Sequence, residues 1–415
     1  MTQFLTHLES AIDGTVLPAN RLQSMHQGRP LWVRYDLPAI RNAITTETFL
    51  ARPLNMWRYR ELLPVGDEIE PVSLDEAVSP IIACPRLANQ YGLDQLLIKD
   101  EARLPQCSFK ARGLSLAITM AKHFGVRRVA MSSNGNAGGS MASYAARAGM
   151  QSVVFVPRDT PKANLAEAAL SGSKIYLADG LIDQCGKAIR QGHDRGLWFD
   201  ISTLKEPYRL EGKKTMGLEL AEQLGWELPD VIMFPTGGGT AVIGMWKAFS
   251  ELVELGWLKS SKMPRMIVVQ SSGCQPLVLA FEKGERFAVR YENATTKAAG
   301  LRVPIGIGDF MVLDAVQQSG GCVVAADDSK LFQWQRIVAQ AEGMLFCPES
   351  AACIGALENL LADGRIRSDE QVVIFNTAAG QKYMDHLEID VPSVDLEHFD
   401  WPGMERGLDG PAFLG

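Results

Sequence analysis

The chain has 415 residues, of which 47% are hydrophobic and 21% charged, and its formal net charge is −7. This length predicts one large lobe or two medium-sized lobes, and the composition is typical of a globular protein. The negative charge argues against nucleic acid or an anionic membrane as the main partner. An anionic ligand would therefore need a local site of its own.

The seven cysteines are scattered along the chain and include no C-x-x-C pair. This pattern favours free thiols in a reducing compartment over a disulfide framework or a structural zinc site, so we expect no metal. The first residues, "MTQFLTHLESAIDGTVLPAN", include acidic side chains and no apolar signal core, and no stretch is apolar enough to cross a membrane. We therefore expect a cytoplasmic protein.

Residues 1–75 are weakly periodic and indicate a lead-in segment, after which short β-branched runs alternate with helical segments. The predicted strands are "DQLLIKD", "RRVAMSS", "SVVFVP", "KIYLAD", "DVIMFP", "RMIVVQ", "CVVAA" and "QVVIFNT". The predicted helices are "GLSLAITMAKHF", "GSMASYAARAG", "KANLAEAALSG", "TAVIGMWKAFSELVEL" and "SAACIGALENLLADG". This alternation predicts an α/β fold of open, mostly parallel sheets with helices on both faces. Residues 391–415, rich in Gly and Pro, are expected to form an irregular tail.

The stretch "DVIMFPTGGGTAVIGMWKAF" places consecutive glycines between a strand and a long helix. Ligands of open α/β sheets bind at the carboxyl ends of strands. Gly237, Gly238 and Gly239 allow close approach of a ligand, and the helix that starts at Thr240 offers unpaired N–H groups to a phosphate. A tight turn with nothing bound is the alternative. The G-x-G-x-x-G fingerprint and the P-loop are both absent.

Two more loops and one lysine extend this candidate site. "SSNGNAGG" places Ser133, Asn134 and Asn136 after a strand, and "FNTAAGQKY" places Thr377 after another. Each loop could instead be a structural turn. Lys110 in "SFKARG" precedes an apolar helix, where a desolvated lysine becomes a nucleophile or base. Together, the lysine, the amide, the phosphate loop and the hydroxyl match what pyridoxal phosphate requires.

These motifs resemble fold type II pyridoxal-phosphate enzymes, and within them the threonine synthases. "SFKARG", "SNGNAGG", "PTGGGT" and "FNTAAGQKY" carry the resemblance, together with "MWRYRELLPV", "STLKEPYRLEGKKTMGLELAEQLGW" and "AAGLRVP". It extends in the same order over about residues 28–383. It implies two open twisted sheets, with an active site in the cleft between two lobes. The expected division is 76–113 and 206–390 for the large lobe and 114–205 for the small one.

The resemblance also implies individual roles. Lys110 would be the Schiff-base lysine and proton shuttle, Asn136 would hydrogen-bond the ring oxygen, and Thr377 would face the pyridine nitrogen. The phosphate would lie on Gly237, Gly238, Gly239 and Thr240. The substrate side would include Ser133 and Asn134, with Lys205 and Arg209 as candidate anion clamps.

Several positions depart from the family pattern around the expected substrate: Gln106, Cys107, Asn134, Ala378, Ala379 and Gln381. The predicted reaction is γ-elimination of phosphate from O-phospho-L-homoserine and addition of water at Cβ, which gives L-threonine. The alternatives are a related β/γ-elimination or replacement enzyme of a specialised pathway, a threonine or serine dehydratase, a non-catalytic paralogue, and a nicotinamide-dependent oxidoreductase. A homodimer is expected from the relatives.

Overall fold

The computed structural model describes residues 4–386, 391 and 393–407. The described strands are β1 (Leu5–Ser10), β2 (Val16–Leu17), β3 (Leu31–Tyr35), β4 (Ile81–Ala83), β5 (Gln95–Asp100), β6 (Arg128–Ser132), β7 (Gln151–Pro157), β8 (Lys174–Ala178), β9 (Phe199–Asp200), β10 (Val231–Pro235), β11 (Arg265–Ser271), β12 (Cys322–Ala326) and β13 (Gln371–Asn376). All eight of the predicted strands are confirmed.

The described helices are α1 (Leu37–Ala43), α2 (Pro85–Tyr91), α3 (Lys110–His123), α4 (Asn136–Arg147), α5 (Lys162–Leu170), α6 (Ile182–Asp194), α7 (Tyr208–Gln223), α8 (Thr240–Leu255), α9 (Pro276–Glu282), α10 (Asp309–Gln318), α11 (Leu331–Glu342), α12 (Pro348–Ala362) and α13 (Trp401–Gly407). Short 3-10 helices span Thr46–Ala51, Met56–Leu62, Glu101–Arg103, Pro105–Cys107, Ala299–Leu301, Asp328–Lys330 and Gly380–His386. The predicted helices are present, and α3 begins at Lys110 itself.

Within the described residues, the strands form three sheets. The largest has the order β12-β11-β10-β13-β5-β4 and is parallel except for the antiparallel edge strand β4. The second, β8-β7-β6-β9, is parallel throughout and lies entirely between residues 128 and 200. These two sheets confirm the predicted α/β class. The boundaries of the two lobes stay a prediction.

The third sheet is antiparallel, has the order β2-β1-β3, and lies in the segment interpreted from sequence as a lead-in. Only two of the six residues of β1 are buried, and β2 has only two residues. A strand with little continuous apolar character gives a weak sequence signal, which explains why this sheet was missed.

The central strands are apolar because helices cover both faces of the large sheet. Every residue of β10 is buried, as are five of the six residues in β13. Side chains of β10 point alternately into two clusters, Ile232 and Phe234 into one and Val231 and Met233 into the other. Apolar packing therefore stabilises both faces of the sheet, and the loops that follow its strands begin at well-packed positions.

Helix α7 is buried along nearly its whole length although it carries several charged residues. Glu219 accepts hydrogen bonds from Arg112 of α3 at 2.8 Å and from Lys99 of β5 at 2.5 Å. Arg112 also donates to Glu101 at 2.7 Å. Buried charges are stable only when paired in this way, so the network ties α3, α7 and β5 together.

None of the described helices combines the length and the apolar character that a bilayer-crossing segment needs. The described residues up to Asp385 form one compact unit, and those from His386 onward form another. In the latter, residues 393–400 have no helix or strand, whereas α13 occupies 401–407. The prediction of an irregular tail is thus wrong for α13, and 387–390, 392 and 408–415 lie outside the described residues.

Candidate active site

The loops that follow β6, β10 and β13 meet at one cleft of about 710 Å³, with the start of α3 in its wall. β10 and β13 are adjacent parallel strands of the large sheet, so the loops after them are neighbours, and the loop after β6 of the second sheet lines the same cleft. The predicted site residues that line the cleft are Lys110, Ser133, Asn134, Asn136, Lys205, Gly237, Gly238, Gly239, Thr240 and Thr377. Arg209 is the one predicted site residue that is not in this lining.

The glycine loop after β10 has room only for glycine. A Cβ at Gly237 would lie 2.3 Å from the carbonyl oxygen of Gly300, and Gly239 has a φ of +81° and directly precedes α8. The loop therefore presents bare backbone and the unpaired N–H groups of a helix start to the cleft. Such an arrangement binds a phosphate group.

Lys110 is held at the cleft by backbone contacts of the residue before it. Phe109 donates its N–H to the carbonyl oxygen of Thr377 at 3.0 Å, and the Lys110 Nζ lies 4.1 Å from the centroid of the Phe109 ring. Burial, helped by the nearby charge of Arg209, lowers the pKa of Lys110 to about 7. The amine can therefore lose and regain its proton near neutral pH, as a nucleophile or base must.

The loop after β6 is fixed by its own side chains. Ser133 Oγ accepts the N–H of Gly138 at 2.9 Å, and the Asn134 amide donates to the carbonyl oxygen of Arg302 at 2.9 Å. The Asn136 amide nitrogen donates to the phenol oxygen of Tyr383 at 2.8 Å, whereas its Oδ1 is buried without a hydrogen-bond partner among the described residues. A buried polar atom without a partner, in a cleft wall, marks a place for a ligand donor.

Thr377 lies in a buried cluster of small polar groups. Its N–H donates to Ser350 Oγ at 2.9 Å, and its hydroxyl lies 3.2 Å from Ser350 Oγ and 3.5 Å from Cys347 Sγ. Burial raises the pKa of the Cys347 thiol to about 12, so this group is a neutral thiol at physiological pH. A ligand nitrogen facing Thr377 would therefore meet neutral hydroxyl and thiol groups.

The two candidate anion clamps differ in position. Lys205 lines the cleft, and burial lowers its pKa below the usual lysine range. Arg209 is 2% exposed, and its Nη1 donates to the carbonyl oxygen of Ile201 at 2.8 Å. Burial lowers the pKa of Arg209 to about 10. Lys205 can meet a ligand directly, whereas Arg209 acts on the cleft from behind the wall.

Two further groups, one in the cleft wall and one behind it, were not indicated by the motifs. Glu349, in the first turn of α12, is 5% exposed and accepts the N–H of Gly300 at 2.7 Å, while Tyr383 supports Asn136. Tyr383 is the last residue of "FNTAAGQKY", so the motif contained it without indicating its partner. Glu349 lies in "CPESAA", where no motif or spacing in the sequence indicates its role.

The comparisons with known proteins agree with this geometry. The family described as "Pyridoxal-phosphate dependent enzyme" matches residues 72–378, and the chain belongs to it. This is a pyridoxal-phosphate-dependent enzyme of fold type II. The threonine synthase of Methanocaldococcus jannaschii is 33% identical over 356 residues, which cover 86% of this chain and 87% of that protein. The threonine synthase of Mycobacterium bovis is 35% identical over 337 residues, covering 81% and 90%.

Solved structures support the same fold. Maize serine racemase has a TM-score of 0.62 at 19% identity, with 80% of this chain and 94% of that chain covered. The diaminopropionate ammonia lyase of Escherichia coli has a TM-score of 0.64 at 17% identity, with coverage of 76% and 88%. At this level of identity the likeness establishes the fold and leaves the substrate open.

The residues present fit the family's cofactor. The unpartnered Oδ1 of Asn136 and the glycine loop in which a Cβ would clash both indicate a ligand bound against them. Lys110 has the lowered pKa that reaction with an aldehyde requires. The cleft therefore supplies an amine, a phosphate-binding loop and neutral partners for a ring nitrogen.

Proposed function

We propose that this chain is a threonine synthase, which releases phosphate from O-phospho-L-homoserine and adds water to give L-threonine. The observation that carries the proposal is the likeness to threonine synthases over more than four fifths of the chain. The family match also includes the cleft: three of the four cleft motifs lie wholly within the matched residues 72–378, and the fourth, "FNTAAGQKY", begins within them at Phe375.

Bound pyridoxal phosphate supplies an electron sink for the α-carbon of an amino acid. The chain's own part begins with Lys110, whose Nζ takes and returns protons because its pKa lies near 7. Gly237, Gly238, Gly239 and Thr240 hold the cofactor phosphate with backbone N–H groups. Asn136 and Thr377 orient the ring through an amide and a neutral hydroxyl.

The residues that would bind the phosphorylated substrate are assigned from the positive charges at the cleft. Lys205 reaches the cleft, and no carboxylate of the described residues lies within hydrogen-bond distance of it, so its ammonium group is available to the leaving phosphate. Ser133 Oγ and the Asn134 loop form the neighbouring wall and orient the amino-acid part. Arg209 contributes positive potential from behind this wall, because its side chain is buried beside the backbone of Ile201.

Three assays on the purified, cofactor-loaded protein test the proposal. Phosphate and threonine should appear in equal amounts from O-phospho-L-homoserine, with little 2-oxobutanoate from threonine or pyruvate from serine. Keto-acid formation without phosphate release would instead identify a dehydratase. If none of these substrates reacts while the cofactor is bound, the enzyme acts on another amino acid, and the departures at Gln106 and Cys107 become the first positions to examine.

The proposal carries two further expectations, a homodimeric assembly and a cytoplasmic location. Size-exclusion chromatography with light scattering tests the first, because a dimer has twice the 45.4 kDa mass of the chain. Cell fractionation tests the second.

A further inference from the structure

A second lysine lies directly behind the active-site lysine. Lys213 of α7 is 1% exposed, its Nζ donates to the carbonyl oxygen of Phe109, and it lies 3.9 Å from the centroid of the Phe109 ring. The Nζ of Lys110 lies 4.1 Å from the same centroid. Because both distances end at one point, the two nitrogen atoms are at most about 8 Å apart. Unlike Lys110, Lys213 is absent from the cleft lining.

The charge environment of Lys213 differs from that of its neighbour in sequence. Lys214 is paired with Glu211 at 2.8 Å and with Glu251 at 2.9 Å. In the described part of the chain, no ion pair within 4 Å involves Lys213. A buried ammonium group without a carboxylate is costly, so a lysine in this position loses its proton instead.

The ionisable groups that face the two amines come from several elements. Lys213 faces Lys110 and Arg112 of α3, Arg209 of its own helix, and Glu101 after β5. Glu101 is already engaged by Arg112 through hydrogen bonds of 2.7 and 2.9 Å. Burial lowers the pKa of Lys213 well below the usual lysine range, and the charge of Lys110 acts in the same direction.

Lys110 is surrounded by groups of both charges. Arg209 faces it from α7 and acts with burial to lower its pKa, whereas Glu349 at the start of α12 acts in the opposite direction. Glu349 faces Lys110, whereas Glu101, the acidic group that faces Lys213, is already paired with Arg112, so this arrangement favours the proton on Lys110 over Lys213.

The packing of α3 on α7 is built around the Lys213 side chain. A Cβ at Gly113 would lie 3.3 Å from Lys213 Cε and 2.9 Å from the carbonyl oxygen of Arg209. A Cβ at Gly212 would lie 2.3 Å from the carbonyl oxygen of Arg112. These two glycines let the helices approach closely enough for the Lys213 amine to reach the peptide that precedes Lys110.

We propose that Lys213 is a positioning residue for Lys110 and that it acts as an uncharged amine, which donates to the Phe109 carbonyl and fixes the start of α3. The inference rests on the assignment of Lys110 as the cofactor lysine. It makes a specific statement about substitutions: glutamine, a neutral donor one bond shorter, replaces Lys213 better than arginine, which keeps the charge.

The test measures how fast an amine-directed reagent modifies Lys110 in the full-length, cofactor-free protein across a range of pH, with peptide mass mapping to assign the site. For Lys213→Gln, the midpoint of the pH profile should stay where it is in the unsubstituted protein. For Lys213→Arg, it should fall by about one pH unit, because a permanent charge now lies near Lys110. Lys122→Gln, at the exposed end of α3, is the matched control and should change nothing.

A third variant, Lys213→Met, removes the donor without adding charge. Its loaded form should turn over about tenfold more slowly, because the Phe109 carbonyl loses its partner. The proposal is overturned if Lys213→Gln raises the midpoint, which would mean that Lys213 is charged, or if folded Lys213→Met is as active as the unsubstituted enzyme. If the Arg and Met variants fail to fold, the pH profile of Lys213→Gln still tests whether Lys213 is charged. This measurement needs no substrate, so its outcome is independent of the proposed reaction.

Discussion

The backbone N–H of Phe109 donates to the carbonyl oxygen of Thr377 at 3.0 Å, which joins the lysine loop to the loop after the last strand of the large sheet. A second bond in the same place runs from the N–H of Ala379 to the carbonyl oxygen of Cys107 at 3.0 Å. The amine of Lys110 and the hydroxyl of Thr377 are therefore held at one cleft by hydrogen bonds between the two loops. Loss of either loop's geometry should disturb both groups.

Replacement of Lys110 by alanine should abolish the absorbance at the edge of the visible range and reduce turnover by several orders of magnitude. The reason is that Lys110 lies in the cleft beside the Thr377 loop and has a pKa lowered to about 7. Spectra and turnover of the reconstituted variant check this, with Lys122→Ala as the control. Unchanged absorbance in Lys110→Ala would show that another residue holds the cofactor.

Substitution of Lys205 by glutamine should raise KM for the phosphorylated substrate about tenfold and change kcat less, because one charge-assisted contact to the phosphate is lost. Burial lowers the pKa of Lys205, so the ammonium charge disappears at a lower pH than for an ordinary lysine, and KM should rise earlier on the alkaline side. Steady-state kinetics against pH measure both effects. Lys174→Gln, an exposed change outside the cleft, should leave KM unaltered, and an equal KM in both variants contradicts the assignment.

Glu219→Gln should lower the free energy of unfolding by about 3–5 kcal/mol, because Arg112 and Lys99 would remain buried without their carboxylate. Although burial alone would raise the pKa of Glu219, these two cations hold it at about 2. The group therefore stabilises the fold fully above the unfolded pKa of about 4.3, and this contribution is lost as pH falls toward 2. Urea unfolding at neutral and acid pH should show a smaller loss on acidification in the variant than in the unsubstituted protein.

Cys107→Gly should stabilise the protein by about 0.5–1 kcal/mol. Cys107 has a φ of +49°, a left-handed conformation that is strained for any residue with a Cβ and unstrained for glycine. Cys107→Ala keeps the Cβ and should bring no gain. Urea midpoints of the two variants make the comparison, and equal midpoints would mean that the loop relaxes without strain at this position.

The sequence was most informative where the signal is local. The apolar strands and the glycine loop after β10 can be recognised from short runs of adjacent residues. The structure has both where the sequence pattern predicted them. Arg209 and Lys205 looked equivalent in "STLKEPYRLEGKK", because a linear pattern does not show that one side chain turns toward Ile201 and the other toward the cleft. Lys213 and Lys214 are adjacent in sequence, yet only tertiary contacts decide which one has carboxylate partners.

The order of strands in the large sheet has a consequence for how the protein is made. Strand β13 is the last to be synthesised, yet it lies between β10 and β5, near the middle of the sheet. Until it is inserted, no strand of the sheet connects β10, which leads to the glycine loop, with β5, which leads to Lys110. A ribosome-bound chain that has not yet released residue 377 therefore has no complete cleft, and cofactor capture becomes a late event in the biogenesis of the enzyme.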